Sequence, residues 1–96
     1  MRATGDGGNY TVSVPNNTAT QLPEAANLVD GDYILTITNE TGQKIYFRWT
    51  SGTTGGDLID DDNVAEVEFK AGQIGYVYQT SGSAQTIAYG VKEVAI

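Results

Sequence analysis

DYILTITNETGQKIYFRWT, residues 32–50, sets two runs of alternating apolar and polar residues on either side of a short polar link containing Gly42. In the first run Tyr33, Leu35 and Ile37 fall on one face and Thr36 and Thr38 on the other. In the second, Ile45, Phe47 and Trp49 alternate with Tyr46, Arg48 and Thr50. A period of two marks a half-buried β-strand. Two such runs across a Gly-containing link predict a β-hairpin. Pairing the apolar rows would bury about six large side chains, on the order of 10 kcal/mol of gross hydrophobic stabilisation. The same alternation assigns Trp49 to the core. It turns Arg48 to the opposite sheet face, where Glu66 or Glu68 is its expected partner.

The rhythm continues outward from this stretch. Residues 10–14 alternate as a half-buried strand that Pro15 ends, because proline has no N–H for the ladder. Asn16 and Asn17 turn the chain, residues 18–22 make a second short strand, and residues 24–27 form one helical turn. Asp30, Gly31 and Asp32 are turn residues that lead into the central stretch. Downstream, residues 51–63 are polar except for Leu58 and Ile59 and predict a surface loop. Residues 64–70 return to alternation, with Ala65, Val67 and Phe69 inward, and Ala71 and Gly72 turn the chain. Residues 75–80 and 85–96 are two further strands, joined by a hairpin turn at Ser81, Gly82 and Ser83. A parity change from Ile87, Tyr89 and Val91 to Val94 and Ile96 predicts a bulge near Lys92 and Glu93. The expected fold is all-β: about seven short, mainly antiparallel strands in a β-sandwich or small barrel.

The chain has 96 residues, enough for one core, so residues 10–96 read as a single domain and residues 1–9 as an extended N-terminal arm. Gly5, Gly7 and Gly8 around Asp6 favour an arm that either folds back along its own domain or docks on a neighbouring subunit. No apolar run approaches the ~18 residues of a membrane span, and no apolar core follows Arg2 to make a secretory signal. Cysteine and histidine are both absent. That removes disulfides, thiolate nucleophiles, imidazole ligands and His-based triads, so a non-enzymatic role is expected. Five Lys and Arg against twelve Asp and Glu give a net charge of −7. Such a chain repels a phosphate backbone, and neither nucleic acid nor membrane is an expected partner.

Asp57, Asp60, Asp61 and Asp62 group hard oxygen ligands suited to Ca²⁺. Counting a metal-binding loop from Asp60 puts Val64 at a ligand position, Ala65 where Gly is needed and Ala71 where Glu is needed, so the EF-hand spacing fails. The cluster reads as a solvated acidic loop, with no metal or cofactor. Asn-x-Thr sequons at Asn9, Asn16 and Asn39 lie where Asn and Thr belong at strand ends. SGTTGG, residues 51–56, lacks the Lys-Ser/Thr of a phosphate-binding loop. Tyr46, Tyr76, Tyr78 and Tyr89, with Trp49, are candidates for a sugar-stacking platform, although strand packing accounts for most of them.

The succession TATQLP (18–23), ILTITNETG (34–42), KIYFRWTSG (44–52), an acidic Gly-rich loop, KAGQ (70–73) and YVYQTSGSAQTIAYGVKE (76–93) resembles small β-sandwich structural proteins of tailed bacteriophages. The likeness spans residues 17–94 and is one of rhythm and turn placement. It implies a virion component, made in the host cytoplasm and placed on the capsid exterior as a decoration or cement protein that bridges neighbouring subunits. A neck or tail accessory protein and a carbohydrate-binding, host-surface-adhesion domain are the alternatives. The resemblance further implies the major capsid protein or other virion proteins as partners, and a homo-oligomer, with a trimer favoured. The residues themselves point to the arm and the acidic loop as contact regions. Arg2, Thr4, Asp6, Asn9, Tyr10, Asp57 and Asp60 are the candidate partner-binding residues.

Overall fold

Both runs of the central stretch are strands, yet they do not pair with each other. The computed structural model describes residues 9–94. Among these are eight strands: β1 (Asn9–Val14), β2 (Thr20–Leu22), β3 (Tyr33–Asn39), β4 (Ile45–Arg48), β5 (Asp57–Ile59), β6 (Asn63–Phe69), β7 (Gly75–Tyr78) and β8 (Gln85–Glu93). A single 3-10 turn at Ala25–Asn27 is the helical turn read from the sequence. The strands form two four-stranded sheets, in the orders β1-β8-β3-β6 and β2-β7-β4-β5, with antiparallel pairing throughout. Interleaving of this kind, with β4-β5 the only neighbours in sequence that also pair, is the topology of an eight-stranded jelly roll.

The link after β3 is therefore an arch from one sheet to the other. The apolar rows of β3 and β4 meet across the interior, and Tyr33, Leu35, Ile37, Ile45 and Phe47 are all buried in one core cluster. What replaces a hairpin ladder is a side chain. Asn39, fully buried, donates through Nδ2 to the carbonyls of Gln43 (2.7 Å) and Ile59 (2.8 Å). Its Oδ1 accepts from the Thr41 amide (3.1 Å) and hydroxyl (2.7 Å). Gly42 completes the arch at φ +81°, a conformation open to glycine without Cβ strain.

The same device recurs between β7 and β8, where the sequence had also predicted a hairpin. Gln79, fully buried, donates through Nε2 to the carbonyls of Ser83 (2.8 Å) and Val14 (2.9 Å), and its Oε1 accepts from the Ser81 amide (2.7 Å). Gly82 sits at φ +99°. Each arch thus consists of a buried amide, a hydroxyl two residues on, a glycine three on and a captured carbonyl four on.

Four further expectations change. Part of the stretch read as loop is β5, which pairs with β4 through Ile45 and Ile59. Trp49 stands where the core opens to solvent: its ring packs on Phe69 (4.8 Å) and edge-on to Phe47 (5.2 Å) but remains 46% exposed. Arg48 faces outward from the β4 sheet, whereas Glu66 and Glu68 face outward from the other, so they cannot meet. Arg48 instead donates to the Thr54 carbonyl and to Thr50 Oγ1 (3.1 Å), tying down the β4–β5 loop. Finally, β8 pairs with β3 one-for-one from Ala88 to Glu93 without a bulge, and Val94 is exposed.

Two phenols are deep in the core. Tyr33 stacks on Phe69 (4.9 Å) and donates to the Gln73 carbonyl (2.6 Å), and burial pushes its pKa from 10.0 up to about 12. Tyr89 donates to Glu24 Oε1 and accepts from Asn27 Nδ2 (both 2.8 Å), anchoring the 3-10 turn, and burial again raises its pKa. With folded pKa values above the unfolded one, the stabilising contribution is complete below pH 10.0 and is lost as pH rises toward 12. Equilibrium unfolding followed between those limits should show stability falling with pH, and Tyr33→Phe should flatten that fall.

Candidate functional site

β5 and β6 are the edge strands of their sheets, joined by the turn at residues 60–62, and together they form one side of the sandwich. The turn is well specified. The Asp62 amide donates to the Asn39 carbonyl (2.7 Å) and the Asn63 amide to that of Asp60 (3.2 Å). Asp61 Oδ1 accepts from the Gly42 amide (2.7 Å), and Asp60 Oδ1 accepts from the Asp61 amide (3.0 Å). Asp62 takes the left-handed conformation (φ 63°) that Asp tolerates. The approach to β5 is fixed by Tyr78, whose hydroxyl donates to the Gly55 carbonyl (2.6 Å).

This side is acidic along its whole length. Asp57, Asp60, Asp61, Asp62, Glu66 and Glu68 are all exposed, and the sequence places no Lys or Arg between Arg48 and Lys70. Lys70, at the far end, pairs with Asp32 at 3.7 Å across a largely solvated gap. Two large apolar side chains are exposed within the acidic strip: Leu58 at 48% on the outer face of one sheet, and Val64 at 60% on the outer face of the other. Like charges along the strip disfavour pairing with the same edge of a second copy. Among the described residues no cluster of three or more His, Cys, Asp or Glu side chains is arranged to hold a metal ion.

The candidate residues are dispersed. Asp57 and Asp60 flank the acidic edge, at the start of β5 and just past its end. Asn9, read as part of the arm, is instead the first residue of β1, opposite Gly90. Tyr10 is half-buried and tilts against Tyr89 (5.4 Å). Arg2, Thr4 and Asp6 lie outside the described residues. Of the aromatic platform, Tyr46, Tyr76 and Tyr78 do share the outer face of the β4–β7 sheet, with Tyr46 stacked on Tyr78 (5.1 Å, 20°). Tyr89 belongs to the core and Trp49 to the open end of the sandwich, so neither joins it.

Leu58 and Val64 were missed although the sequence carried a signal: each is out of phase with its inward-facing neighbours, buried Ile59 in one case and half-buried Ala65 and Val67 with buried Phe69 in the other. Compared with known proteins, the chain matches no family model, no curated protein and no solved structure.

Proposed function

We propose that this chain is a non-enzymatic virion structural protein of a tailed bacteriophage, a capsid decoration or cement protein that braces the outside of the shell. The observation that carries the reading is the acidic β5–β6 edge with Leu58 and Val64 exposed in it. Such an edge is attracted to a basic surface and supplies one apolar contact on whichever outer face lies against the shell, Leu58 on one side and Val64 on the other. The resemblance to small phage β-sandwich proteins points the same way. The jelly roll recurs in viral capsid and lectin domains, which is an analogy of fold rather than of site. On a repetitive shell each contact need only be weak, because a homo-oligomer, a trimer by preference, engages several lattice positions at once. Residues 1–8 enter the reading as a second tether that precedes the edge strand β1.

Co-sedimentation with undecorated particles tests this. Binding should weaken steeply as ionic strength rises from about 0.05 to about 0.5 M, since exposed charges act within a Debye length of roughly 10 Å at 0.1 M. A chain carrying Asp57→Asn, Asp60→Asn and Leu58→Ser should bind at least about tenfold more weakly, a change of roughly 1.4 kcal/mol. Removing residues 1–8 should weaken binding as well. Salt-insensitive binding that survives the triple substitution would remove the edge from the interface.

A further inference from the structure

The two arches and the turn after β5 meet at one end of the sandwich around a cleft of about 340 Å³. The β3–β4 arch contributes Gly42, Gln43 and Lys44, and the β7–β8 arch contributes Thr80 and Ser81. Asp60 and Asp61 come from the turn, and Tyr46 is the aromatic wall. We propose that this cleft binds a neutral saccharide, with one sugar face laid on Tyr46 and the hydroxyls bonded to Asp60, Asp61 and the arch residues. The cleft shares Asp60 and Asp61 with the end of the acidic edge, but its other walls are the two arches and Tyr46, and the proposal does not rest on capsid binding.

The lining selects this class by exclusion. Two carboxylates beside an ammonium make a poor cation cage, since hard cations take six or more oxygen ligands. The same carboxylates repel phosphate or sulfate. A purely apolar ligand would strand the polar groups without partners. What remains is a neutral ligand that is rich in hydroxyls and has one apolar face. A sugar ring meets both conditions, because an aromatic ring supplies apolar surface while carboxylates, amides and hydroxyls take its O–H groups.

The recognition groups are held in place before any ligand arrives. Tyr46 is fixed by its stack on Tyr78 (5.1 Å), and Tyr78 by its bond to the Gly55 carbonyl (2.6 Å). Asp60 and Asp61 each engage one carboxylate oxygen with a backbone amide, at 3.0 and 2.7 Å, which orients the second oxygen. Preorganisation of this kind lowers the entropic cost of binding. The cleft volume of about 340 Å³ is at the small end of ligand sites, which run to about 1,000 Å³, and suits one or two sugar units.

The test is a two-dimensional ¹H–¹⁵N titration of the full chain with maltose, cellobiose, lactose and chitobiose at millimolar concentrations. At least one of these should produce saturable shifts centred on Gly42, Gln43, Lys44, Asp61 and Ser81. Tyr46→Phe should keep the affinity within about threefold, whereas Tyr46→Ala should weaken it about tenfold. Thr80→Trp, at an exposed position outside the core, should abolish binding by filling the cleft while leaving the spectrum folded. Saturable shifts mapping elsewhere, for example around Trp49, would overturn the proposal, as would undiminished binding in Thr80→Trp. No saturation by any of the four sugars would do the same, and so would the cleft residues responding to a lysine-rich peptide instead.

Discussion

Asn39→Leu is expected to lower the unfolding free energy by about 4 kcal/mol, a large share of the roughly 5 to 15 kcal/mol typical of a domain. The amide is 0% exposed and links three segments: its own strand, the arch at Thr41 and Gln43, and β5 at Ile59. Leucine keeps the volume but strands the Ile59 carbonyl in the interior, at about 1 to 3 kcal/mol for an unsatisfied buried group. The Gln43 carbonyl and the Thr41 amide lie nearer solvent and lose about 1 kcal/mol each. Asn39→Asp is the informative companion. It keeps an acceptor for Thr41 but turns a carboxylate toward two carbonyl oxygens, so its folded pKa rises above the usual ~3.9. Its deficit should therefore be greatest at neutral pH and shrink as pH falls through the folded pKa. Denaturant unfolding followed by circular dichroism measures both. Gln79→Leu should behave like Asn39→Leu, because it dismantles the equivalent arch. A loss under about 1 kcal/mol for either Leu variant would mean that the arches are held by something other than their amides.

Gly75→Ala should be nearly as damaging, and Gly75→Val should prevent folding. A Cβ at this buried position would lie 2.4 and 2.5 Å from Phe47 Cε1 and Cζ, and 3.2 Å from Phe69 Cζ. Neither ring can retreat freely. Phe47 and Phe69 are 3% and 1% exposed and meet edge to face at 6.0 Å. Trp49, half-exposed against both, is the element that can yield. That relief keeps the alanine cost near about 3 kcal/mol, the upper part of the range for overpacking. Valine adds two methyl groups into the same contact. Thermal unfolding should show a large fall in midpoint for Gly75→Ala, and the proton spectrum of Gly75→Val should lack native dispersion. A Gly75→Val protein as stable as the parent would contradict the packing described for this end of the core.

Alternation identified most of the strands and their buried faces, because a period of two dictates which side of a strand meets the core. It could not identify each strand's partner. Tyr33, Leu35 and Ile37 are buried equally well by a neighbour in the same sheet or by a sheet opposite, and the choice falls to the link. The deciding residues were visible: Asn39 continues the inward parity of its strand into the turn, and Gln79 does the same after Val77. A polar residue at an apolar phase, with Thr or Ser two on and Gly three on, marks an arch whose ladder bonds are made by a side chain. β5 went unread because three residues are too few to show a period. Trp49 and Val94 kept or broke parity at the ends of strands, where phase no longer reports burial. The site divides similarly: the carboxylates of the acidic edge were plain in the composition. The exposure of Leu58 and the convergence of Tyr46, Asp60 and Asp61 on one cleft depended on the sheet assignment.

The proposed capsid role predicts that the gene lies in a tailed-phage genome and that its product is in the virion. Purifying such virions, measuring the chain's copy number in them and imaging the particles by cryo-electron microscopy tests it most directly. A capsid decoration protein should be present in a fixed ratio to the major capsid protein. Density for a small two-sheet sandwich should appear on the outer surface, with the β5–β6 edge against the shell. Virions that lack the chain, while it remains in the soluble fraction of the lysate, would contradict a structural role. A few copies confined to the neck or tail would contradict the capsid placement.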